Sequence, residues 1–580
     1  MARRFLYVIA CVAPVWAVIT YATDGVTLHL GGLRLKATEP VRPLIVGVFA
    51  AAIYVWRYSR EAYDTDGVWL MAFLRRAAVV AAPVIILLGC AIGIYSGSFT
   101  AGGSDAYGYV SQAGLWLKGS LRIEQPWVQQ FSWPEREVTF APLGYRPISP
   151  NGTIVPTYAS GLPILMAVFQ GLLGANGPFY VVPVLGTLGL WFTYLLGREV
   201  SGSRPVGALA ALLLLTSPVF LAHLLLPMSD VPVAAGWTLV ALLALKKPRP
   251  APLAAGLVAA ATLMIRPNLL LLALVPVITW LVAWRDRRAE IMATRDLRSD
   301  VLRFGIGLAP GIVAIAALNN YLYGSPLTSG YGALGDIYSW SSAWPNLKRY
   351  SLWLMQTQTP LVALAIIPFA VPSVFPSHTR ASARLCLALL LGLTLFSYIF
   401  YSPFEIWTYL RFLLPAYPAM FVLMAMGVRF ICVKLPIVLR PAVAMAICII
   451  CLASTFIFTR DQFIFDARKF QRRHILAAEY VAELTPETAV IVSAEHSGSL
   501  RYYAHRITLR YDLLADDRLD AALKALRAKG YHPYVVVDDW EEREFRKRFA
   551  SKNEAGRLDW NPIITVKTNP EVRIYDTTEQ

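Results

Sequence analysis

The stretch AAVVAAPVIILLGCAIGIY, residues 77–95, runs for 19 residues without a charged side chain. A helix rises about 1.5 Å per residue, so this stretch is long enough to cross the roughly 30 Å hydrocarbon core of a bilayer. Similar apolar stretches recur from Phe5 to about Thr459. The 580-residue chain is 56% hydrophobic and 16% charged, which is outside the usual range of soluble domains. The sequence therefore predicts a polytopic α-helical membrane protein.

The positions of the apolar stretches and of the basic residues predict a topology. Basic residues such as Arg57, Arg75, Arg198 and Arg429 fall in alternate short loops, which is the positive-inside pattern of the cytoplasmic side. We therefore predict an extracytoplasmic C-terminus and a location in the bacterial inner (plasma) membrane. The first stretch also fits a secretory signal, but its apolar run continues to Tyr21 and favours a retained helix. About 13 transmembrane helices are predicted, near residues 5–22, 43–57, 77–95, 179–197, 206–224, 231–245, 251–265, 268–284, 304–322, 353–372, 385–401, 412–430 and 441–459.

The net charge of +16 raises the question of a nucleic-acid partner. The basic residues lie at predicted helix ends and form no basic face interleaved with aromatic residues, so we predict no nucleic-acid partner. All six cysteines lie in apolar stretches, and the sequence therefore predicts no disulfide framework.

Two parts of the chain lie outside the apolar stretches. The loop at 96–161 is rich in Gly, Pro, Trp and Tyr and is too long to be a simple connector. After Arg460, short helical segments alternate with short strands, which is typical of an α/β domain. We therefore predict a transmembrane domain at 1–459, which includes the long loop, and a small extracytoplasmic α/β domain at 460–580. The predicted helices of the latter lie near 469–484, 519–528 and 541–549, and its strands near 489–492, 534–537, 563–566 and 572–575.

Aromatic residues of the long loop include Trp116, Trp127, Trp133, Tyr145 and Tyr158. Such side chains stack on sugar rings or anchor a protein at the membrane interface. We expect the interfacial role, and sugar stacking is the alternative.

Four ionisable residues are predicted at outward-facing helix ends: Asp105, Asp230, Arg266 and Arg411. Charged side chains at membrane depth are costly and usually have a function. Each also has a structural explanation, because carboxylates suit a helix N-terminus and arginines can snorkel toward water. The four residues are far apart in sequence but share one predicted membrane face. This favours a common site for an anionic group such as a phosphate.

Several short motifs extend this pattern. With them, the chain resembles the GT-C glycosyltransferases that use polyprenyl-phosphate sugars, especially protein O-mannosyltransferases and the bacterial transferase that adds aminoarabinose to lipid A. The resemblance covers most of the membrane part. The motifs are GGSDAYGY at 102–109, PTYASGLP at 156–163, Ser229-Asp230, Arg266-Pro267, YGSP at 323–326 with SGYG at 329–332, and RFLLP at 411–415.

The resemblance implies a catalytic role for Asp105, which opens the first large outward loop, and for Asp230 as a second acidic residue. It implies that Arg266 holds the lipid phosphate, where related enzymes often have Lys. Two departures from the family pattern bear on subfamily and acceptor. Ala106 follows Asp105 where many members have an acidic pair, Asp-Glu. Two predicted helices also precede the helix that leads into the loop, whereas in the family the loop typically follows the first helix. The other predicted substrate-binding residues are Tyr107, Arg146, Tyr158, Tyr331, Glu405 and Arg411.

The expected function is transfer of a sugar, with inversion, from a polyprenyl-phosphate donor to a glycan, lipid or protein acceptor outside the cytoplasm. The donor phosphate is a good leaving group if cationic side chains stabilise its charge, and Asp105 would accept the acceptor's proton. The expected partners are this donor, membrane lipids and the acceptor.

Two points stay open at this stage. No cofactor is assigned, although Asp105 and Asp230 together could hold a divalent metal ion. The alternative function is that of a transporter or flippase for a lipid-linked or anionic substrate, because charged groups in broken membrane helices also mark substrate pathways.

Overall fold

The computed structural model describes residues 1–22, 25–30, 33–246, 251–287, 296–332, 334–377 and 380–579. Within these ranges, 19 α-helices form the part of the chain up to Asp461. They are α1 Ala2–Ala22, α2 Val41–Arg57, α3 Arg60–Tyr95, α4 Asp105–Lys118, α5 Arg136–Thr139, α6 Gly161–Leu173, α7 Gly177–Ser201, α8 Arg204–Thr216, α9 Pro218–Leu224, α10 Asp230–Leu245, α11 Pro252–Ile265, α12 Leu274–Arg287, α13 Leu297–Tyr323, α14 Leu334–Ile337, α15 Ala343–Gln358, α16 Ile367–Ala370, α17 Arg380–Ile399, α18 Tyr417–Lys434 and α19 Arg440–Asp461.

The lengths of these helices confirm a polytopic helical membrane protein but correct the predicted count of about 13 spans. Among the described residues, eight helices are long and apolar enough to cross a membrane, and two bent pairs raise the count to ten. One bent pair is α8 with α9, where the bend is 65°. The other is Trp340–Gln358 with Pro360–Ala370, where the bend is 107°. The three remaining predicted spans form α2, α10 and α11, with 17, 16 and 14 residues. These are shorter than the roughly 20 residues that a spanning helix usually needs.

Inside the membrane part, α7 packs against α8 and α10, α11 packs against α10 and α13, and α18 packs against α8. Small residues allow the closest approach, because without side chains in the way two helix backbones can pack directly. At Gly256 of α11, an added Cβ would lie 2.2 Å from the backbone carbonyl oxygen of Phe304 in α13. This packing fixes the position of α11, whose last residue precedes Arg266.

The outward ends of these helices determine where the candidate site residues lie. Helix α4 begins at Asp105 and α10 begins at Asp230. Helix α11 ends before Arg266, because Pro267 cannot donate a helical hydrogen bond and restricts the preceding residue to extended conformations. Accordingly, Arg266 has φ −146° and ψ 86°. A 3-10 helix, Trp407–Ala416, leads into α18 and carries Arg411.

Strands are few in the membrane part. Two antiparallel hairpins are formed by β1 (Val26–Leu30) with β2 (Leu33–Ala37), and by β3 (Tyr145–Pro147) with β4 (Ile154–Pro156). The second hairpin lies in the long loop and is mostly buried. It gives this loop a fixed structure between α4 and α6.

The C-terminal region is a mixed α/β sheet packed against helices. Its strands run in the order β6-β5-β7-β9-β8, with β5 parallel to β6 and β7 and with β9 antiparallel to β7 and β8. The strands are β5 Ala489–Val492, β6 Ile507–Leu509, β7 His532–Asp538, β8 Ile564–Val566 and β9 Val572–Asp576, and the helices are α20 Ala467–Gln471, α21 Arg473–Leu484, α22 Ser497–Tyr503, α23 Leu519–Ala528 and α24 Asp539–Phe549. The four predicted strands and three predicted helices are present, and the prediction missed β6.

The long loop shares a hydrophobic core with the C-terminal sheet. Phe131, Trp133 and Phe140 pack in one buried cluster with Val490 and Val535 of the sheet. Trp133 is 6% exposed and Trp127 packs against the same cluster, so the interfacial role expected for these two aromatic residues is wrong. The division at residue 460 stays a prediction.

Candidate active site

The first of two ion pairs joins Asp105 to Arg411. Asp105 is the first residue of α4, where the unpaired N–H groups of a helix favour a carboxylate. Nη1 of Arg411 donates to the Asp105 carboxylate at 2.7 Å. The two side chains are 25% and 17% exposed, so this pair remains accessible to solvent. We call it the outer pair.

The second ion pair joins Asp230 to Arg266. Nη2 of Arg266 donates to the Asp230 carboxylate at 2.8 Å. Asp230 is fully buried, and Arg266 is 14% exposed. The second carboxylate oxygen of Asp230 has no hydrogen-bond partner among the described residues. We call this the inner pair.

Three hydroxyl groups that were not among the predicted site residues lie around the inner pair. Arg266 also donates to the hydroxyl groups of Ser229 at 2.9 Å and of Tyr398 at 3.4 Å. The hydroxyl of Tyr109 in α4 donates to the Ser229 hydroxyl at 3.0 Å. Tyr109 follows Asp105 by four residues on one helix face, and this spacing could have identified it. Arg411 of the outer pair contacts the sulfur of Met228, two residues before Asp230, at 3.8 Å. All four predicted ionisable residues therefore lie close together, and we call the two pairs with these hydroxyl groups the ion-pair network.

Tyr158 lies beside the outer pair. Its hydroxyl and that of Ser104 share a hydrogen bond of 2.7 Å, and its ring is 4.7 Å from that of Tyr109. Burial raises the pKa of Tyr158 well above its usual value, and the Asp105 carboxylate adds to the shift. The phenol therefore stays protonated. Tyr331 is 49% exposed and its ring lies 6.0 Å from the Tyr158 ring, at the edge of the site.

Two other predicted substrate-binding residues contact loops instead. Arg146 donates to the carbonyl oxygens of Ser329 and Gly330 at 3.3 and 3.0 Å, and so ties the long loop to the segment after α13. The Glu405 side chain is 86% exposed and pairs with Arg349 at 3.2 Å. Within the described residues, neither side chain forms a hydrogen bond or ion pair with the inner or outer pair.

Tyr107 is also separate from the two pairs. Its buried ring lies 5.6 Å from the Tyr145 ring and packs against Gly498 of α22. The side chain therefore contacts the C-terminal region and not the inner or outer pair.

The carboxylates of the site bind cations from the protein itself. Asp105 and Asp230 are each held by an arginine. In the part of the chain that the structure describes, no group of three or more His, Cys, Asp or Glu side chains could hold a metal ion. The two pairs together carry two negative and two positive formal charges, which makes the network neutral.

A small, partly open cavity with a mostly apolar lining adjoins the site. Tyr158 lies at its edge, and Met264 and Pro267, which flank Arg266 in sequence, form part of its wall. Ile315 and Leu318 of α13 form the opposite wall. The ion-pair network thus lies beside a mostly apolar surface that is partly open to the surroundings.

Comparisons with known proteins find a likeness in structure and none in sequence. No protein-family model and no curated protein matches the chain. ArnT from Cupriavidus metallidurans in the apo state superposes with a TM-score of 0.52 at 12% identity, covering 86% of this chain and 98% of that one. The fold resembles that of GT-C glycosyltransferases.

An archaeal oligosaccharyltransferase gives the same result. The enzyme from Archaeoglobus fulgidus in the apo form has a TM-score of 0.53 at 12% identity, with 84% of this chain and 73% of that chain covered. AglB from the same organism, in complex with an inhibitory peptide and a dolichol-phosphate, has a TM-score of 0.51 at 12% identity, with 86% and 74% covered. The predicted resemblance is confirmed at the level of fold, which by itself does not fix the reaction.

Proposed function

We propose that this protein is an inverting glycosyltransferase that moves a sugar from a polyprenyl-phosphate donor to an extracytoplasmic glycan, lipid or protein. The observation that carries the proposal is the position of the outer pair. It places a solvent-accessible carboxylate, Asp105, next to a second arginine–carboxylate pair in a GT-C-like fold. The proposed location is the bacterial inner membrane, with the site on the extracytoplasmic side.

Arginine side chains supply the proposed phosphate site. Guanidinium groups bind phosphate oxygens through charge-assisted hydrogen bonds, often two at a time. The side chains of Arg266 and Arg411 are each partly exposed, at 14% and 17%. Nη1 of Arg266 also donates to the Tyr398 hydroxyl. One structural neighbour, AglB, was solved with a dolichol-phosphate, and a lipid phosphate is the ligand that this arrangement suits.

The cavity beside Arg266 supports a lipid-linked donor. A prenyl chain in the apolar space between α11 and α13 would leave its phosphate near the arginine that follows α11. The prenyl chain of the donor already lies in the hydrocarbon of the bilayer, so this space would orient the chain and add little hydrophobic free energy. Membrane lipids would occupy the same space when donor is absent.

Asp105 is the proposed general base. The acceptor hydroxyl would lose its proton to the Asp105 carboxylate as its oxygen forms a bond to the anomeric carbon. The bond from that carbon to the phosphate oxygen breaks at the same time, and the electron pair leaves with polyprenyl phosphate. Arg266 and Arg411 would stabilise the added negative charge. Because one displacement takes place, the configuration at the anomeric carbon inverts.

Asp230 has a different proposed role from the one that the resemblance implied. Its side chain is fully buried and one of its oxygens is bonded to Arg266. We propose that it orients Arg266 toward the donor phosphate. The network requires no metal ion in this scheme, and metal dependence is a separate measurement.

The test is transfer of radiolabelled sugar from a panel of polyprenyl-phosphate sugars to membrane acceptors by the purified protein in detergent. Asp105→Asn should lower turnover by about a hundredfold to ten-thousandfold, the usual contribution of a general base. Asp461→Asn is the matched control, because Asp461 is an exposed carboxylate paired with its neighbour Arg460. It should transfer sugar at the wild-type rate.

Two outcomes would count against the proposal. Wild-type turnover in Asp105→Asn would exclude this carboxylate as the base. Failure of the wild type to transfer sugar from any donor, combined with donor-dependent flux across reconstituted vesicles, would support the transporter or flippase alternative.

A further inference from the structure

The segment that leads into Asp105 is held by the C-terminal region. We call residues 97–104 the approach segment. Nε of Arg468 donates to the Gly97 carbonyl oxygen at 2.9 Å, and the Ala101 N–H donates to the Tyr503 hydroxyl at 2.9 Å. Arg468 and Tyr503 belong to α20 and α22, far from this segment in sequence. Two backbone groups of the approach segment are therefore bonded to side chains of the α/β region.

His474 of α21 packs against this segment at Gly102. At Gly102, an added Cβ would lie 2.3 Å from Cδ2 of the His474 ring, closer than any real Cβ contact. At Gly103, which has φ +60°, an added Cβ would lie 3.4 Å from the Glu495 carboxylate. At Gly102, two residues before Ser104, the backbone thus packs directly on the α/β region. A side chain at this position would prevent the contact.

The His474 ring is itself fixed by buried neighbours. It is fully buried, its Nδ1 lies 3.2 Å from the Ser499 hydroxyl, and its ring centre is 4.6 Å from that of His496. Nε2 of His496 is in turn 2.8 Å from the Asp538 carboxylate, which also accepts from Arg473 at 3.1 Å. Burial lowers the pKa of His474 well below its usual value, and the nearby His496 and Arg473 add to the shift.

The membrane part holds the approach segment from the other side. The Ser98 N–H donates to the Leu225 carbonyl oxygen at 2.8 Å, shortly before Asp230 in sequence. The Ser104 hydroxyl bonds Tyr158. The segment is therefore clamped between the two regions, and Asp105 follows directly after the clamp.

We infer that the α/β region positions Asp105, with His474 and Tyr503 as positioning residues that act through the approach segment. The inference rests on the proposed function, in which the Asp105 carboxylate takes a proton from the acceptor. A base displaced by about 1 Å can lose about a hundredfold in rate. Changes at the contact should therefore lower kcat and leave the donor KM unchanged, because no hydrogen bond or ion pair among the described residues joins Arg266 or Arg411 to His474 or Tyr503.

The test introduces a steric clash with one substitution and removes the clash with a second. Gly102→Ala adds the methyl group that meets the His474 ring, and we expect kcat to fall at least tenfold with the donor KM within twofold of wild type. His474→Ala removes the ring. In Gly102→Ala/His474→Ala, the extra methyl group has space, so kcat should equal that of His474→Ala alone. Such non-additivity is the mark of a direct contact.

The matched control is Gly114→Ala. Gly114 lies in the same α4 helix, and an added Cβ there meets no atom within 4 Å. Its kcat should stay within twofold of wild type. Wild-type kcat in Gly102→Ala, or a double variant in which the two losses multiply, would overturn the inference.

Amide hydrogen exchange separates failure of the inference from failure of the proposed function. In Tyr503→Phe and Gly102→Ala, exchange at Ala101 and across the approach segment should be at least tenfold faster than in wild type, whether or not sugar is transferred. If neither the wild type nor any variant transfers sugar, but amide exchange is faster in the variants, the proposed glycosyltransferase activity is refuted and the positioning contact is supported. Unchanged exchange in both variants, with full transfer activity, would refute the positioning role alone.

Discussion

The outer and inner pairs have the same chemistry but different surroundings. Each joins one aspartate at a helix start to one arginine, at 2.7 Å in Asp105–Arg411 and 2.8 Å in Asp230–Arg266. The Asp105 side chain is 25% exposed, whereas that of Asp230 is fully buried. A buried charge pair is costly to break, but a partly solvated carboxylate can exchange its partner for a substrate at little cost.

This difference assigns distinct roles to two carboxylates that the sequence could not tell apart. Asp230 has no exposed surface through which an acceptor hydroxyl could approach. Asp105 has such surface and lies next to Tyr158 and the cavity. We therefore expect the outer pair to govern turnover and the inner pair to govern stability and the orientation of Arg266.

The largest effect expected from this division is on turnover at the outer pair. Asp105→Asn should lower kcat by about a hundredfold to ten-thousandfold. Because this pair is partly solvated, the free energy of unfolding should fall by less than in Asp230→Asn, where the lost charge is fully buried. Turnover and thermal melting, measured on the same preparation, check both statements. A melting loss as large as the one expected at the inner pair would remove the distinction between the pairs.

The second effect is on stability at the inner pair. Asp230→Asn leaves the Arg266 charge without its buried partner, which typically costs about 3–5 kcal/mol. The melting temperature in detergent should therefore fall much further than in Asp105→Asn. If Asp230→Asn melts like the wild type, the inner pair does not stabilise the fold.

A double variant sharpens the same distinction. Replacing both members of a buried pair by apolar residues of similar size is often neutral for stability, because no charge is left unpaired. Asp230→Leu/Arg266→Met should therefore recover most of the stability that Asp230→Asn loses. Its donor binding, measured by titration with polyprenyl phosphate, should stay at least tenfold weaker than in wild type. Recovery of donor binding would show that Arg266 does not hold the phosphate.

The inner and outer pairs also show how far the sequence could predict the site. Asp105 and Arg411 were identifiable one at a time, because charged residues interrupt apolar runs at predicted helix ends. Their pairing was not, since the two residues are 306 positions apart and are brought together only by the tertiary fold. The choice between base and positioning residue depends on burial, which no local pattern encodes.

The fold shows the same limit. Apolar length predicted helices at all 13 positions, but not that α10 and α11 are shorter than the roughly 20 residues usual for a spanning helix or that two other spans are bent. Trp133 is the residue type of an interfacial anchor. It is instead buried with Phe131 and Phe140 in a cluster that includes Val490, more than 350 residues later in the chain. The β6 strand has three residues between arginines, which is too little pattern to detect.

The smallest expected effect concerns the hydroxyl group of Tyr158. Tyr158→Phe removes the hydrogen bond to Ser104 but keeps the ring that packs against Tyr109. A single such bond contributes about 0.5–1.5 kcal/mol, so kcat should fall by about two- to tenfold. Tyr63→Phe is the control, because it removes a hydroxyl that donates to the Val55 carbonyl at 2.6 Å on the opposite predicted membrane face.

Whether Tyr158→Phe changes kcat alone or also the donor KM distinguishes two alternative roles of Tyr158. If Ser104 and Tyr158 hold the start of α4 in place, the loss appears in kcat and the donor KM is unchanged. If Tyr158 instead contacts the donor phosphate directly, the donor KM rises in step with the loss. A variant with wild-type kcat and KM would leave the Ser98–Leu225 bond and the contacts with the α/β region, and not Tyr158, as the elements that orient Asp105.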